Sequence, residues 1–137
     1  MSRPRPLVPL FLCRVPCGFP SPADDYVDRL LDLNELCVRN HAATFFLRAE
    51  GTSMQEAGIA PGDVLVVDRS AEPRSGHVVV AVLDGALTVK RLRIDRRAGG
   101  ERLTLVAHSP DGPTVEVAPE QEFTVWGVVT HVVHALA

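Results

Sequence analysis

HVVVAVLDGALTVKRLRI, His77–Ile94, is the stretch on which the fold turns. The apolar run His77–Leu83 ends at Asp84-Gly85, and Ala86–Ile94 follows as a second β-rich run. Asp-Gly between two such runs is a strong short-range signal for a β-hairpin, because both residues tolerate the positive φ that a tight hairpin turn demands. Side chains alternate along a strand, so Ala86, Thr88, Lys90, Leu92 and Ile94 share one face, and Leu87, Val89, Arg91 and Arg93 share the other. Lys90 therefore stands on the smaller, more apolar face. A lysine there either snorkels its ammonium to water or loses solvation. Desolvation lowers a lysine pKa and frees the neutral amine to act as a base. The basic cluster Lys90, Arg91, Arg93, Arg96, Arg97 and Arg102 reads mostly as a solvated hairpin edge, charged to block further pairing, with a partner-binding patch as the minor reading.

Strand patterns continue on both sides of this hairpin. Upstream, Thr44–Ala49 reads as a strand, Ile59-Ala60-Pro61-Gly62-Asp63 as a turn, and Val64–Val67 as an apolar strand. Downstream, Arg96–Gly100 is a loop, Arg102–Ala107 a strand and Pro110-Asp111-Gly112-Pro113 a turn. Thr114–Val117 and Phe123–Val133 complete the series. The expectation is a mainly β domain with short loops. Between Asp24 and Asn40, the apolar residues Tyr26, Val27, Leu30, Leu31, Leu33, Leu36 and Cys37 are spaced as one helical face, which predicts a short helix.

The first 24 residues differ. Six of the eleven prolines lie there, each lacking an amide donor and biasing its predecessor towards extended backbone. The division expected is an extended N-terminal arm, residues 1–24, followed by a β domain, residues 25–137. Arg3, Arg5 and the apolar run Leu7–Cys13 resemble a signal peptide faintly, but Pro9 interrupts the run and Arg14 sits where a cleavage region should be neutral. The favoured location is the cytoplasm.

Composition narrows the function. A chain of 137 residues, 46% hydrophobic and 23% charged, is long enough for one self-standing core. No apolar run is long enough to span a bilayer, so no membrane association is expected. The net charge of −3 and aromatic content of 5% disfavour direct sequence-specific DNA binding or a base-stacking platform as the main task. Cys13, Cys17 and Cys37 are odd in number and form no C-x-x-C pair, which points to a reducing compartment and away from a disulfide framework or zinc. His131 and His134 are three apart on a strand and face opposite sides, so no metal is expected between them. No cofactor is expected.

The candidate nucleophile is Ser53. Gly51-Thr52-Ser53-Met54 follows the Thr44–Ala49 strand, and Gly51 permits a tight turn that presents the Ser53 hydroxyl. A turn serine usually bonds its own backbone. A serine paired with a lysine is also a known catalytic variant.

Taken together, Gly51-Thr52-Ser53-Met54, Pro61-Gly62-Asp63, Asp84-Gly85 and Thr88-Val89-Lys90-Arg91-Leu92 resemble the LexA/UmuD family of self-cleaving serine peptidases. The Ser53-to-Lys90 separation of 37 residues is similar to the family's. Val15-Pro16-Cys17-Gly18-Phe19-Pro20-Ser21-Pro22-Ala23 resembles the segment that carries the scissile bond in UmuD-type members. Asp32-Leu33-Asn34-Glu35-Leu36 and Phe123–His134, with Trp126-Gly127-Val128-Val129, add to the likeness, which covers about residues 15–136. With about seventeen residues before the bond in this sequence, the DNA-binding domain of a LexA-type repressor is not expected.

The resemblance implies a LexA/signal-peptidase-like β-fold with an extended N-terminal arm, Ser53 as nucleophile, Lys90 as general base and self-cleavage at Cys17–Gly18. It also implies a cytoplasmic homodimer of the SOS response, stimulated by a RecA filament on single-stranded DNA. The trimmed protein would join a UmuC-type Y-family polymerase in translesion synthesis. A polymerase-binding module of the same fold with an inert Ser53 and Lys90 is the alternative.

Overall fold

The computed structural model describes residues 7–12, 14, 15, 17, 18, 26–96, 99–109, 112 and 114–137. Cys13, Pro16, the stretch 19–25, Arg97, and Pro110, Asp111 and Pro113 of the expected turn lie outside the described residues. The chain divides into two compact units, Met1–Val38 and Arg39–Ala137, a boundary fourteen positions past the one expected at residue 24.

Local pairing explains the displaced boundary. In the first unit, strand β1, Val8–Phe11, pairs antiparallel with β2, Val27–Leu31, so that Val8 stands opposite Leu31 and Phe11 opposite Val27. Leu12 N–H extends the ladder by donating to the Tyr26 carbonyl at 2.8 Å. The arm is thus extended but also paired, and Pro9 is tolerated because β1 has a neighbour on one side only among the described residues. The helix expected between residues 24 and 40 shrinks to α1, Leu33–Cys37. Val27, Leu30 and Leu31 gain cross-strand partners instead, where an isolated helix of that length would be marginal. Helix α1 starts where it does because the Asp32 carboxylate caps it, accepting the Asn34 N–H at 2.9 Å.

The second unit is mainly β, as the sequence pattern implies. Its strands are β3, Thr44–Arg48; β4, Val64–Asp68; β5, Val78–Leu83; β6, Ala86–Asp95; β7, Arg102–Val106; β8, Thr114–Glu116; and β9, Phe123–Val133. They form one antiparallel sheet in the order β3-β4-β9-β5-β6-β7-β8. The β5–β6 hairpin turns on Asp84 (φ 50°) and Gly85 (φ 82°), the paired positive φ angles that the Asp-Gly signal predicts. Strand β6 lies between β5 and β7 and is not a sheet edge, contrary to the reading of its arginines as edge guards. The edges are β3 and the three-residue β8.

Each face of the sheet carries a buried cluster. Met54, Ile59, Leu65, Val67 and Val80 form one buried cluster, and Val79, Ala81, Leu92, Leu105 and Val128 form another. Val79 and Val80 are neighbours in sequence yet belong to opposite clusters, which is why β5 reads as an unbroken apolar run. Strand β9 crosses between β4 and β5 with a register shift against each, and such bulges bend a strand and raise its twist. At that crossing Gly127 is required: an added Cβ would stand 2.5 Å from Val67 Cγ1 and 3.2 Å from the Asp68 carbonyl oxygen. The bent sheet brings β3 and β6, which have three strands between them in sheet order, to the two sides of one cleft.

Candidate active site

The cleft has a volume of about 380 Å³. Leu47 to Gly51 line one side, Leu87 to Lys90 line the other, and Met54, Ile59, Leu65 and Val80 supply apolar lining. Ser53 enters it from a tight loop. Gly51 adopts φ +81°, a left-handed conformation that suits glycine, and reverses the chain after β3. Met54, only 4% exposed, packs into the core directly after Ser53. The Met54 carbonyl accepts the N–H groups of Ala57 at 3.1 Å and Ile59 at 3.2 Å. The serine is therefore placed by an anchored neighbour on a short turn.

Lys90 reaches it from β6. Strand β7 pairs with β6 only from Arg91 onward, so Ala86–Lys90 have β5 as their one ladder partner among the described residues. The Lys90 Nζ donates to Ser53 Oγ at 2.9 Å and to the Val89 carbonyl at 3.1 Å. Lys90 is half-buried, and desolvation lowers its pKa from the ordinary 10.5. When the amine is neutral, its lone pair can take the Ser53 proton across the same contact. Of the two readings left open for Lys90, the desolvated one fits this geometry.

The expected bond partners, Cys17 and Gly18, are both exposed in the first unit, and Cys17 and Cys37 are free thiols. Its chain neighbours aside, no described atom of its own unit lies within 4 Å of where a Gly18 Cβ would stand, so packing there does not reserve that position for glycine.

Asp63 with His134 and Arg91 with His108 support the site, and sequence reasoning gave them no such role. Asp63 is buried and binds from several directions. Its Oδ2 accepts the Ala60 N–H at 2.8 Å, its Oδ1 meets His134 Nδ1 at 2.5 Å, and its carbonyl accepts the Ala49 N–H at 2.8 Å. The hydrogen bond to His134, then that from Ala60, hold its carboxyl below the ordinary 3.8. This ties the Pro61-Gly62-Asp63 turn to Ala49, two residues before Gly51. Arg91 is half-buried instead of solvated. Its Nε donates to His108 Nε2 at 2.8 Å and its guanidinium donates again to the Gly76 carbonyl at 2.6 Å. Arg93 and Arg96 are exposed, as the solvated reading expects. His131 bonds its neighbour Thr130 at 3.0 Å, and among the described residues no group of three potential ligands could hold a metal.

Comparison with known proteins places this geometry in context. Residues 9–130 match the model of the Peptidase S24-like family. Protein ImpA of Escherichia coli is 47% identical over 126 residues, covering 92% of this chain and 83% of that protein. Protein SamA of Salmonella typhimurium is 48% identical over 126 residues, covering 92% of this chain and 84% of that protein. The LexA repressor of Bordetella avium is 36% identical over 133 residues, covering 93% of this chain and 60% of the repressor.

Proposed function

From the premise that the chain belongs to the Peptidase S24-like family, we propose that it is a UmuD-like serine peptidase that cuts its own arm between Cys17 and Gly18. The observation that carries this reading is the 2.9 Å contact between Lys90 Nζ and Ser53 Oγ, set in a cleft between two strands. An unassisted serine is a weak nucleophile, and an adjacent base makes it competent.

The steps follow from the residue types. Neutral Lys90 takes the Ser53 proton as Oγ bonds to the Cys17 carbonyl carbon. The oxyanion so formed needs backbone donors, of which the Ser53 amide is the best candidate. The carbon–nitrogen bond then breaks, and Lys90 returns the proton to the Gly18 nitrogen. Water, deprotonated by Lys90, releases Cys17 as a carboxylate and restores Ser53. An extended arm is the right substrate for a cleft with a strand on either side, because main-chain groups can pair along it.

The biological setting proposed is the SOS response. A RecA filament on single-stranded DNA would raise the fraction of time the arm is docked, and the observed rate scales with that fraction. The trimmed homodimer would then serve a UmuC-type Y-family polymerase in the cytoplasm.

The test is mass analysis and N-terminal sequencing of the purified chain after mildly alkaline incubation. The large fragment should begin Gly18-Phe19-Pro20, and Ser53→Ala and Lys90→Ala should each stay folded and uncut. A different new terminus would displace the assigned bond, and cleavage by either variant at the wild-type rate would remove that residue from the mechanism.

A further inference from the structure

Lys90 and Arg91 are neighbours in sequence, and both lead to Ser53. Lys90 reaches its hydroxyl directly. Arg91 reaches its main chain through His108. Strand β7 leaves the β6 ladder after the Arg91–Val106 pair, and the chain that follows turns to the nucleophile loop. There the His108 N–H donates to the Ser53 carbonyl at 2.7 Å, and the His108 carbonyl accepts the Glu56 N–H at 2.7 Å. These two bonds bracket Ser53 and the first turn after it.

The His108 ring is held in turn. Arg91 Nε is a donor, so His108 Nε2 is the acceptor of the 2.8 Å bond, and the ring carries its proton on Nδ1. The other arm of the guanidinium holds the Gly76 carbonyl at 2.6 Å, and Gly76 N–H donates to the Leu92 carbonyl at 2.7 Å. A planar fork that binds two fixed acceptors has little freedom left. The path from β6 to the nucleophile loop is therefore a series of short hydrogen bonds ending on the Ser53 peptide unit.

We propose that Arg91 and His108 are a positioning pair that fixes the Ser53 main chain so that its Oγ stays aligned with Lys90. The proposal rests on the Ser53–Lys90 reading above and deepens it. Neither residue exchanges a proton with the reacting atoms. Their effect is on the share of conformations in which Oγ lies within reach of Nζ, and a displacement of about 1 Å at such a site can cost on the order of 100-fold in rate.

The experiment follows the first-order loss of the full-length chain by mass between pH 7 and pH 11, with thermal melting in parallel. The variants are His108→Leu, His108→Gln, Arg91→Met and Arg91→Lys. His108→Leu removes the ring acceptor and should slow cleavage roughly 10- to 100-fold at every pH, with the midpoint of the pH profile unmoved. His108→Gln keeps an acceptor oxygen for Arg91 and should recover most of the rate. Arg91→Lys keeps the charge without the two-armed grip and should remain slow.

A His108→Leu rate equal to wild type, a shifted midpoint, or failure of glutamine to rescue would each overturn the proposal. If His108→Leu does not fold, Arg91→Met decides, since it leaves the His108 main-chain bonds in place and should show the same slow rate and fixed midpoint. Should the wild-type chain cleave no faster than Lys90→Ala, the Ser53–Lys90 reading falls and takes this one with it. A fast wild type matched by His108→Leu removes only the positioning pair.

Discussion

Lys90→Arg isolates the base from the charge. Arginine keeps a cation and hydrogen-bond donors where Lys90 Nζ now lies 2.9 Å from Ser53 Oγ. It cannot supply a neutral base, because a guanidinium stays protonated across this pH range. Burial already pushes the Lys90 pKa below 10.5, so in the wild type the neutral amine gains population at lower pH than for an exposed lysine. The sign follows directly: below that pKa each unit of pH raises the neutral fraction about tenfold, and the cleavage rate with it, until the rate levels off above the pKa. General-base assistance contributes typically about 10²- to 10⁴-fold. Lys90→Arg should therefore be slower than wild type by at least about 100-fold at the plateau, or roughly 2.7 kcal/mol of barrier. The assay is the mass-detected time course of the full-length chain from pH 7 to pH 11. Lys90→Met, which lacks both charge and base, serves as the steric control and should be equally slow. Cleavage by Lys90→Arg within tenfold of wild type would refute the argument that Lys90 acts by accepting a proton.

Two other perturbations test the frame around the site. Gly127→Ala puts a Cβ 2.5 Å from Val67 Cγ1 and 3.2 Å from the Asp68 carbonyl, so it should destabilise the fold by about 1–3 kcal/mol, read as a lower urea midpoint; an unchanged midpoint would mean that the β4–β9 crossing yields easily. Asp63 has a carboxyl pKa held below 3.8 by His134 and Ala60, so its contribution is present above pH 3.8 and is lost as the pH falls through its lower, folded-state value. Urea midpoints between pH 6 and pH 2 should show the advantage of wild type over Asp63→Asn shrinking only below pH 3.8, and a constant difference across that range would sink the assignment.

Local pattern made most of the second unit legible. The Asp84-Gly85 turn, the alternation along Ala86–Ile94 and the apolar run before it each follow from backbone rules that act within a few residues, and the hairpin stands where those rules place it. The Asp24–Asn40 region shows where such rules compete. Val27, Leu30, Leu31 and Leu33 satisfy a helical spacing, but four of the five residues from Val27 to Leu31 have partners in Val8–Phe11, at least sixteen positions away in sequence. Periodicity within a window holds no information about a distant strand, and the prolines of the arm concealed that one was available. Asp32 was the local signal for the true helix start, since an aspartate directly before Leu33 is a cap.

The site divides in the same way. Ser53 and Lys90 could be singled out because a lysine on an apolar strand face is anomalous by itself, and a family resemblance joins it to a glycine-turn serine that is ordinary alone. Arg91 and His108 had no such mark: an arginine in a basic run is ordinarily solvated, and His108 carries no local pattern at all. Their relation exists only because β7 stops pairing at Val106 and sends the following two residues across to the Ser53 loop. Lys90 lies in the stretch of β6 that has β5 as its one ladder partner among the described residues, and the chain that follows β7 beyond Val106 is the chain that bonds the Ser53 carbonyl. One register feature, the end of the β6–β7 ladder at Arg91–Val106, thereby stands next to both the proposed base and the chain that would hold the proposed nucleophile.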